Sequence, residues 1–430
     1  MFLCVRLTLA SLFLRASGYW LMGANNILTT QRIDPITNPG TVATHVHAVL
    51  GGSNFGLNLS TSWLRQSQCT SIPIAEDKSN YWFPQLYFQW RDGSFTSVDG
   101  NAVIRSYYLF SDAPNSTTAF PEDFRMLSGD PNLRTLDPAS FAQQAITYIC
   151  LNFDGVSSKH NELPVWKSCP SGIRSQVNFP SCWDGENVDS PDHRSHVAFL
   201  STGPDNGTCN DPQYPYTLPR IFLEVYWITQ PFEDHRNEAM TPSQPFVYVY
   251  TVFIDVHRTY LHLSFAHGDP TGYGNHADFF NGWDEGALEK AIAHCTCNPY
   301  GDPTCCASQG LFTFNQSAQC YISDRFDEVV KGNISVLPGA NPVQATCYEE
   351  YVDNGTPAVL APVYTYTTTT QGAALPRGTI VSEAVASNAR QIASGRCIRT
   401  GSARKNKVVA SSYWMSCISL LVVNTFVRGV

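Results

Sequence analysis

Ile221–Ile228 reads IFLEVYWI, apolar at both odd and even positions. A strand with one wet face alternates polar and apolar residues, so this run predicts a strand buried on both faces. Outward from it, Thr41–Leu50 (TVATHVHAVL) alternates, is β-branched and ends at Gly51-Gly52. Tyr81–Trp90 (YWFPQLYFQW) is an aromatic strand in which Pro84 marks an edge or a bulge. Ala102–Phe110 and Ala145–Phe153 read as two more strands, and Val177–Phe199 as a strand, a polar loop and a return into VAFL. Short strands punctuated by Gly, Pro and Asn predict a mainly β fold, a single large β-sandwich or jelly-roll-like domain with few short helices. The clearest helix is Glu285–Cys295, with Leu288, Ile292 and Cys295 on one face and Asp284 placed to cap it.

Of 430 residues only 15% are charged while 12% are aromatic, and the net charge is -9. That balance excludes a nucleic-acid surface, and no basic aromatic platform is present. Arg6, the apolar run Leu7–Leu14 and the small residues Ala16-Ser17-Gly18 predict a signal peptide over 1–18, hence an extracellular or cell-wall protein. A main domain over 19–352 follows, then a low-complexity stretch over 353–407, a linker or a disordered tail, and an apolar segment over 408–430. That last segment reads equally as a glycolipid-anchor signal, a spanning helix or a disordered end; membrane association follows only if it is an anchor signal. Of the 14 cysteines, setting aside Cys4 and Cys417 leaves an even set between Cys69 and Cys397, a disulfide framework. The knot Cys295, Cys297, Cys305, Cys306, Cys320 has CxC and CC spacings that match no zinc module. Sequons begin at Asn58, Asn115, Asn206, Asn315, Asn333 and Asn354.

Chemistry concentrates in Gly268–Asp284, GDPTGYGNHADFFNGWD, too rich in glycine for a regular element. A second polar loop, Ser181–His196, reads SCWDGENVDSPDHRSH. Asp278 and Asp192 are the candidate catalytic carboxylates, with His276 and His196 to relay protons, because glycoside cleavage needs two carboxyl groups flanking one bond. Trp183, Tyr273 and Trp283 are candidates to stack on sugar rings, and Asp184, Asp269, Lys78 and Arg125 to bind their polar edges. His45 and His47, two apart on one predicted strand, face the same way and can share a divalent metal (Zn or Cu); Asp192-His193-x-x-His196 and His276-x-Asp278 both offer a third ligand, and His193 is the one assigned. The competing reading is that these histidines only hydrogen-bond carboxylates. No Gly-rich phosphate loop and no G-x-S-x-G elbow occurs.

RIDPITNPG at 32–40, HVHAVLGGSNFG at 45–56, EDKSNYWFPQLYF at 76–88 and FPEDFRMLSGDP at 120–131 come in order. With LPVWKSCPSGIRSQVNFPSCWDGENVDSPDHRSHVAF at 163–199 and the 268–284 loop, they resemble the fungal secreted domain-of-unknown-function family DUF1996. The resemblance implies a secreted protein and carries over no activity. The chain departs from the family at VYTVFIDVHRTYLHLS, 249–264, which reads as an added strand or as a translated intron; His257 and His262 are left out of any site for that reason. The leading expectation is an extracellular protein that cleaves or binds cell-wall polysaccharide. The alternative is a non-catalytic glycan-binding or metal-binding surface protein.

Overall fold

The computed structural model describes residues 19–101, 105–109, 117–240, 263–265, 268–297, 301–344, 356–368 and 374–383. The predicted signal peptide, the 408–430 segment, Cys347, Cys397 and all of the 249–264 stretch except its last two residues lie outside them.

Two antiparallel sheets make the frame. The larger has seven strands. Its centre is Arg220–Trp227, which pairs with Ile173–Asn178 on one side and Arg105–Leu109 on the other. Ile221, Leu223, Val225 and Trp227 share a face and enter the main core with Ile173, Val177, Ile146 and Tyr148 from the neighbouring strands. The smaller sheet has five strands, labelled here β1 (Thr29–Gln31), β2 (His47–Gly51), β3 (Asn80–Pro84), β4 (Arg125–Gly129) and β5 (His276–Phe280). Their order in space is β1-β2-β3-β5-β4.

Strand parity sends this sheet's side chains into two different cores. Ala48, Leu50, Tyr81, Phe83, Met126, Ala277 and Phe279 face the larger sheet and join its core. Val49, Trp82 and Phe280 face away, into a second cluster with Leu28, Ile33, Val42 and Phe55. Residues of β2, β3 and β5 are buried on both faces, so polar side chains on the outward parity are enclosed rather than solvated. His47, His276 and Asp278 have that parity.

The mainly β sandwich with few short helices is as expected from the strand spacing. Three local readings are corrected. The strand expected over Tyr81–Trp90 is two strands in different sheets: β3, then Leu86–Gln89, which pairs with Phe95–Ser97 and Leu263–Phe265. Pro84 has no N–H for a ladder, and Gln85 turns the chain by donating through its backbone to Val46 and through its side chain to Val98. The helix spans Ala287–His294 with Gly286 at its cap position, and Asp284 is drawn away by Lys78. The main domain, expected to end at 352, is followed by further strands, Ala358–Ala361, Thr365–Tyr366 and Thr379–Glu383, inside the stretch read as a linker or tail. Leu360 is buried there, and Tyr366 stacks on Tyr321 with ring centroids 5.2 Å apart.

Five disulfides occur among the described residues: Cys69–Cys320, Cys150–Cys169, Cys182–Cys209, Cys295–Cys306 and Cys297–Cys305. They are consistent with an extracellular protein, and no helix among the described residues is long and apolar enough to cross a membrane. Cys69–Cys320 spans 251 residues and ties β2's exit loop to the C-terminal strands. Replacing both cysteines by serine is expected to cost about 2–4 kcal/mol in denaturant melts; an unchanged midpoint would show that the tie adds nothing.

Candidate functional site

Three imidazoles meet on the enclosed face of the five-stranded sheet. His45 lies just before β2, His47 opens it, and His276 opens β5. The register places His47 opposite Pro84 and Trp82 opposite Asp278, so β3 bridges the two histidine-bearing strands. One ring nitrogen from each of the three can be chosen so that all lie within 4.8 Å of one another. Ring centroids are 4.3 Å apart for His45 and His47, 5.1 Å for His45 and His276, and 5.8 Å for His47 and His276. All three residues are buried.

The hydrogen bonds set the tautomers. His276 Nδ1 lies 3.0 Å from the Gly274 carbonyl, which only accepts, so Nδ1 carries the proton and Nε2 of a neutral ring presents its lone pair. That lone pair points at His45 Nε2, 3.1 Å away. His45 Nδ1 in turn contacts the Thr44 hydroxyl at 3.1 Å. Two bare nitrogens at this distance repel, so one of two things stands between them: the N–H of a neutral His45 protonated at Nε2, whose Nδ1 then accepts from the Thr44 hydroxyl, or a metal ion. Two imidazoles on one tetrahedral zinc, each about 2.0–2.1 Å from it, have their nitrogens about 3.3 Å apart. The donor set fits Zn²⁺ or Cu²⁺, for both of which imidazole is a suitable ligand.

Each arm of the cluster is fixed from behind. Asp269 is fully buried and accepts from the Thr271 backbone and hydroxyl through Oδ1, and from Gly274 N through Oδ2. It thereby sets the turn whose Gly274 carbonyl holds His276. Arg134 lies 3.6 Å from Asp269 and bonds the Gln344 and Pro131 carbonyls. On the other arm, buried Arg32 pairs with Glu328 at 2.8 Å and reaches the Ala43 carbonyl, while Asn341 donates to Thr44 O at 2.6 Å. Gly129, with φ 94°, lets β4 lie against β5: a Cβ there would stand 2.4 Å from Asn275 O and 2.8 Å from His276 Cα.

Asp278 follows two residues after His276 on the same face, and neither carboxyl oxygen has a hydrogen-bond partner among the described residues. Burial pushes its pKa well above the ordinary carboxylate value, and the charge of Asp34 adds to this against a smaller pull from Arg194. The enclosed face thus carries, on the same strand as His276, a carboxyl whose protonated form burial favours.

The remaining predicted residues are placed otherwise. His193 is not a third ligand: its Nδ1 pairs with Asp189 at 2.8 Å, on a loop beyond β4, and His276 takes that position. The loop's backbone docks on β4, which stands between it and β5. His196 donates through Nε2 to the Arg125 carbonyl and packs on Phe124, with burial lowering its pKa. Asp192 accepts from Ser195 N, Arg194 N and Ser190 Oγ. Burial works against its charge, yet these bonds outweigh it and hold the carboxyl below the ordinary range, the wrong direction for a general acid at neutral pH.

Asp184 likewise closes its own turn, accepting from Glu186 and Asn187. Trp183 and Trp283 are buried, the first against Phe124 and the second against Trp20, so neither is available to stack on a sugar. Tyr273 donates its hydroxyl to Glu162. Lys78 is bidentate on Asp284 at 2.8 Å, and Arg125 pairs with Asp189 at 2.8 Å. Asp269 supports the loop rather than facing a ligand. The positioning residues Arg32, Arg134 and Asn341 carried no sequence signal beyond their polarity, because what marks them is burial. The triplet Cys297, Cys305 and Cys306 also clusters, but its sulfurs are consumed in disulfides.

No curated protein and no solved structure matches the chain. A family model described as Domain of unknown function (DUF1996) matches residues 34–283, a span that includes all three clustered histidines and more than half of the sequence. The chain belongs to the DUF1996 family.

Proposed function

We propose that this is a secreted metalloprotein in which His45, His47 and His276 hold one Zn²⁺ or Cu²⁺. The convergence of three buried imidazoles, two of them with Nε2 atoms face to face, carries the reading. Among the described residues the cluster has three donors, the number found in catalytic zinc sites, whereas structural zinc sites have four. A bound ion supplies Lewis acidity at that point; the protein's part is to keep Nδ1 of His276 protonated on Gly274 O and to hold the site away from bulk water.

The protein, secreted from a eukaryotic host and purified without chelator, is expected to carry about one equivalent of Zn or Cu by elemental mass spectrometry. Stripping the metal should lower the melting temperature, and adding it back should restore it. A chain that emerges metal-free and whose melting ignores added Zn²⁺ and Cu²⁺ would refute the centre.

A glycan-directed role at the cell wall is the second reading. It is favoured by a cavity that lies past the end of β2 and is bordered by the exposed Trp63. An aromatic plane left in water beside amide side chains suits the apolar face of a sugar.

A further inference from the structure

Past Gly51 the chain turns through Ser53–Asn58 and leaves a cavity of about 500 Å³, within the range of small-ligand sites. Phe55 forms its buried floor and packs on Trp82 with centroids 5.5 Å apart. Trp63 stands at the rim, 49% exposed. Its backbone is held on both sides, with N donating to Ser60 Oγ and the carbonyl accepting from Asn54 Nδ2. Asn58 and Gln68 also line the cavity and are exposed, so their amides cost little to redirect toward a ligand.

Arg325 is also among the residues that line the cavity. Its backbone is committed, N to Gln31 Oε1 and O to Leu360 N. Its guanidinium is partly buried, and no carboxylate among the described residues forms a salt bridge with it; burial alone lowers its pKa. Arg32 and Arg174, by contrast, have Glu328 and Glu224, while Arg220, which also forms no carboxylate salt bridge among the described residues, donates to the Asp205 carbonyl. A guanidinium taken partly out of water with no acid to meet it is matched to a planar anion that arrives from outside.

We propose that this cavity binds an acidic sugar residue of a polysaccharide, a uronate, with its carboxylate on the Arg325 fork and its ring against Trp63. The proposal rests on the glycan reading above and adds the charge of the sugar to it. The rim carries a second source of sugar, because Asn58-Leu59-Ser60 is a glycosylation sequon. The core of an N-linked chain is neutral and makes no use of Arg325.

The test is calorimetric titration of the full secreted chain, and of Asn58→Gln, with an oligogalacturonate and with the same oligosaccharide after carboxyl reduction. The uronate is expected to bind at least about tenfold more tightly than its reduced form, with affinity falling as salt rises. Trp63→Ala and Arg325→Gln should each lose about tenfold or more while melting as the parent does, and Arg325→Lys should recover part of the loss. Equal binding of both oligosaccharides would overturn the acidic assignment and leave the glycan reading standing. No binding of either, with or without Asn58, would remove both. Binding that appears only in Asn58→Gln, and equally for the neutral form, would assign the cavity to the chain's own N-linked sugar and overturn the proposal.

Discussion

His276→Ala is expected to abolish one-to-one retention of Zn²⁺ or Cu²⁺, with affinity falling by at least about 100-fold in competition against a chelating dye. The size follows from the geometry. His276 supplies one of three donors and faces His45 across 3.1 Å, so its loss leaves two imidazoles on the same short segment with nothing opposite them. His45→Ala should match it. Asp269→Asn should lose less, because it loosens the turn that presents Gly274 O without removing a donor. His193→Ala is the control: paired with Asp189 on the outer loop, it should leave affinity unchanged. If His193→Ala lost the metal and His276→Ala kept it, the centre would be wrongly assembled here.

Asp77→Asn is expected to change how stability depends on pH. Asp77 is fully buried, accepts from Ser79 N and the Tyr81 hydroxyl, each at 3.0 Å, and has its pKa raised from 3.8 to about 7. Burial is the main cause. The Ser79 and Tyr81 bonds oppose it, and the charge of Asp284 adds to it. A raised value means that the folded chain holds the proton more tightly than the unfolded one. The stabilisation is therefore complete below about pH 4 and is lost as pH climbs through about 7. At 1.36 kcal/mol per pKa unit, the loss accumulates to about 4 kcal/mol. Asparagine keeps a carbonyl for Ser79 N and has no proton to lose. Relative to the parent, the variant should gain stability steadily between pH 4 and pH 8 in parallel denaturant melts. Parallel curves for the two proteins would show that Asp77 is ionised in the fold throughout.

Much of this arrangement was written in local pattern. Ile221–Ile228 announced a doubly buried strand because its apolar residues occupy both parities, and the centre of the large sheet is Arg220–Trp227. The His45/His47 pair drew attention for its spacing, although His45 lies outside the strand and reaches the cluster through the Arg32 and Asn341 clamps. The third histidine could not be chosen by spacing. His193 and His276 lie in equally polar, glycine-bearing stretches of sequence, and only the fold decides between them: His276 opens β5, which lies next to β3, whereas the His193 loop lies beyond β4. The aromatic loop residues misled for a related reason. Trp183 and Trp283 look like sugar platforms in one dimension, yet each fills core between packed layers, while the tryptophan exposed among the described residues, Trp63, is on a short helix that no motif marks.

The separation between His45 and His276 is 231 residues. A nascent chain that has released its first two imidazoles has no third to offer until most of its length has been synthesised, and even then β3 must already lie between the two ligand-bearing strands. On the proposed metal reading, capture is therefore a late event that reports a completed tertiary structure. Copies that fail to close would stay unloaded, so occupancy of the proposed centre would serve as a molecular record of which chains matured correctly.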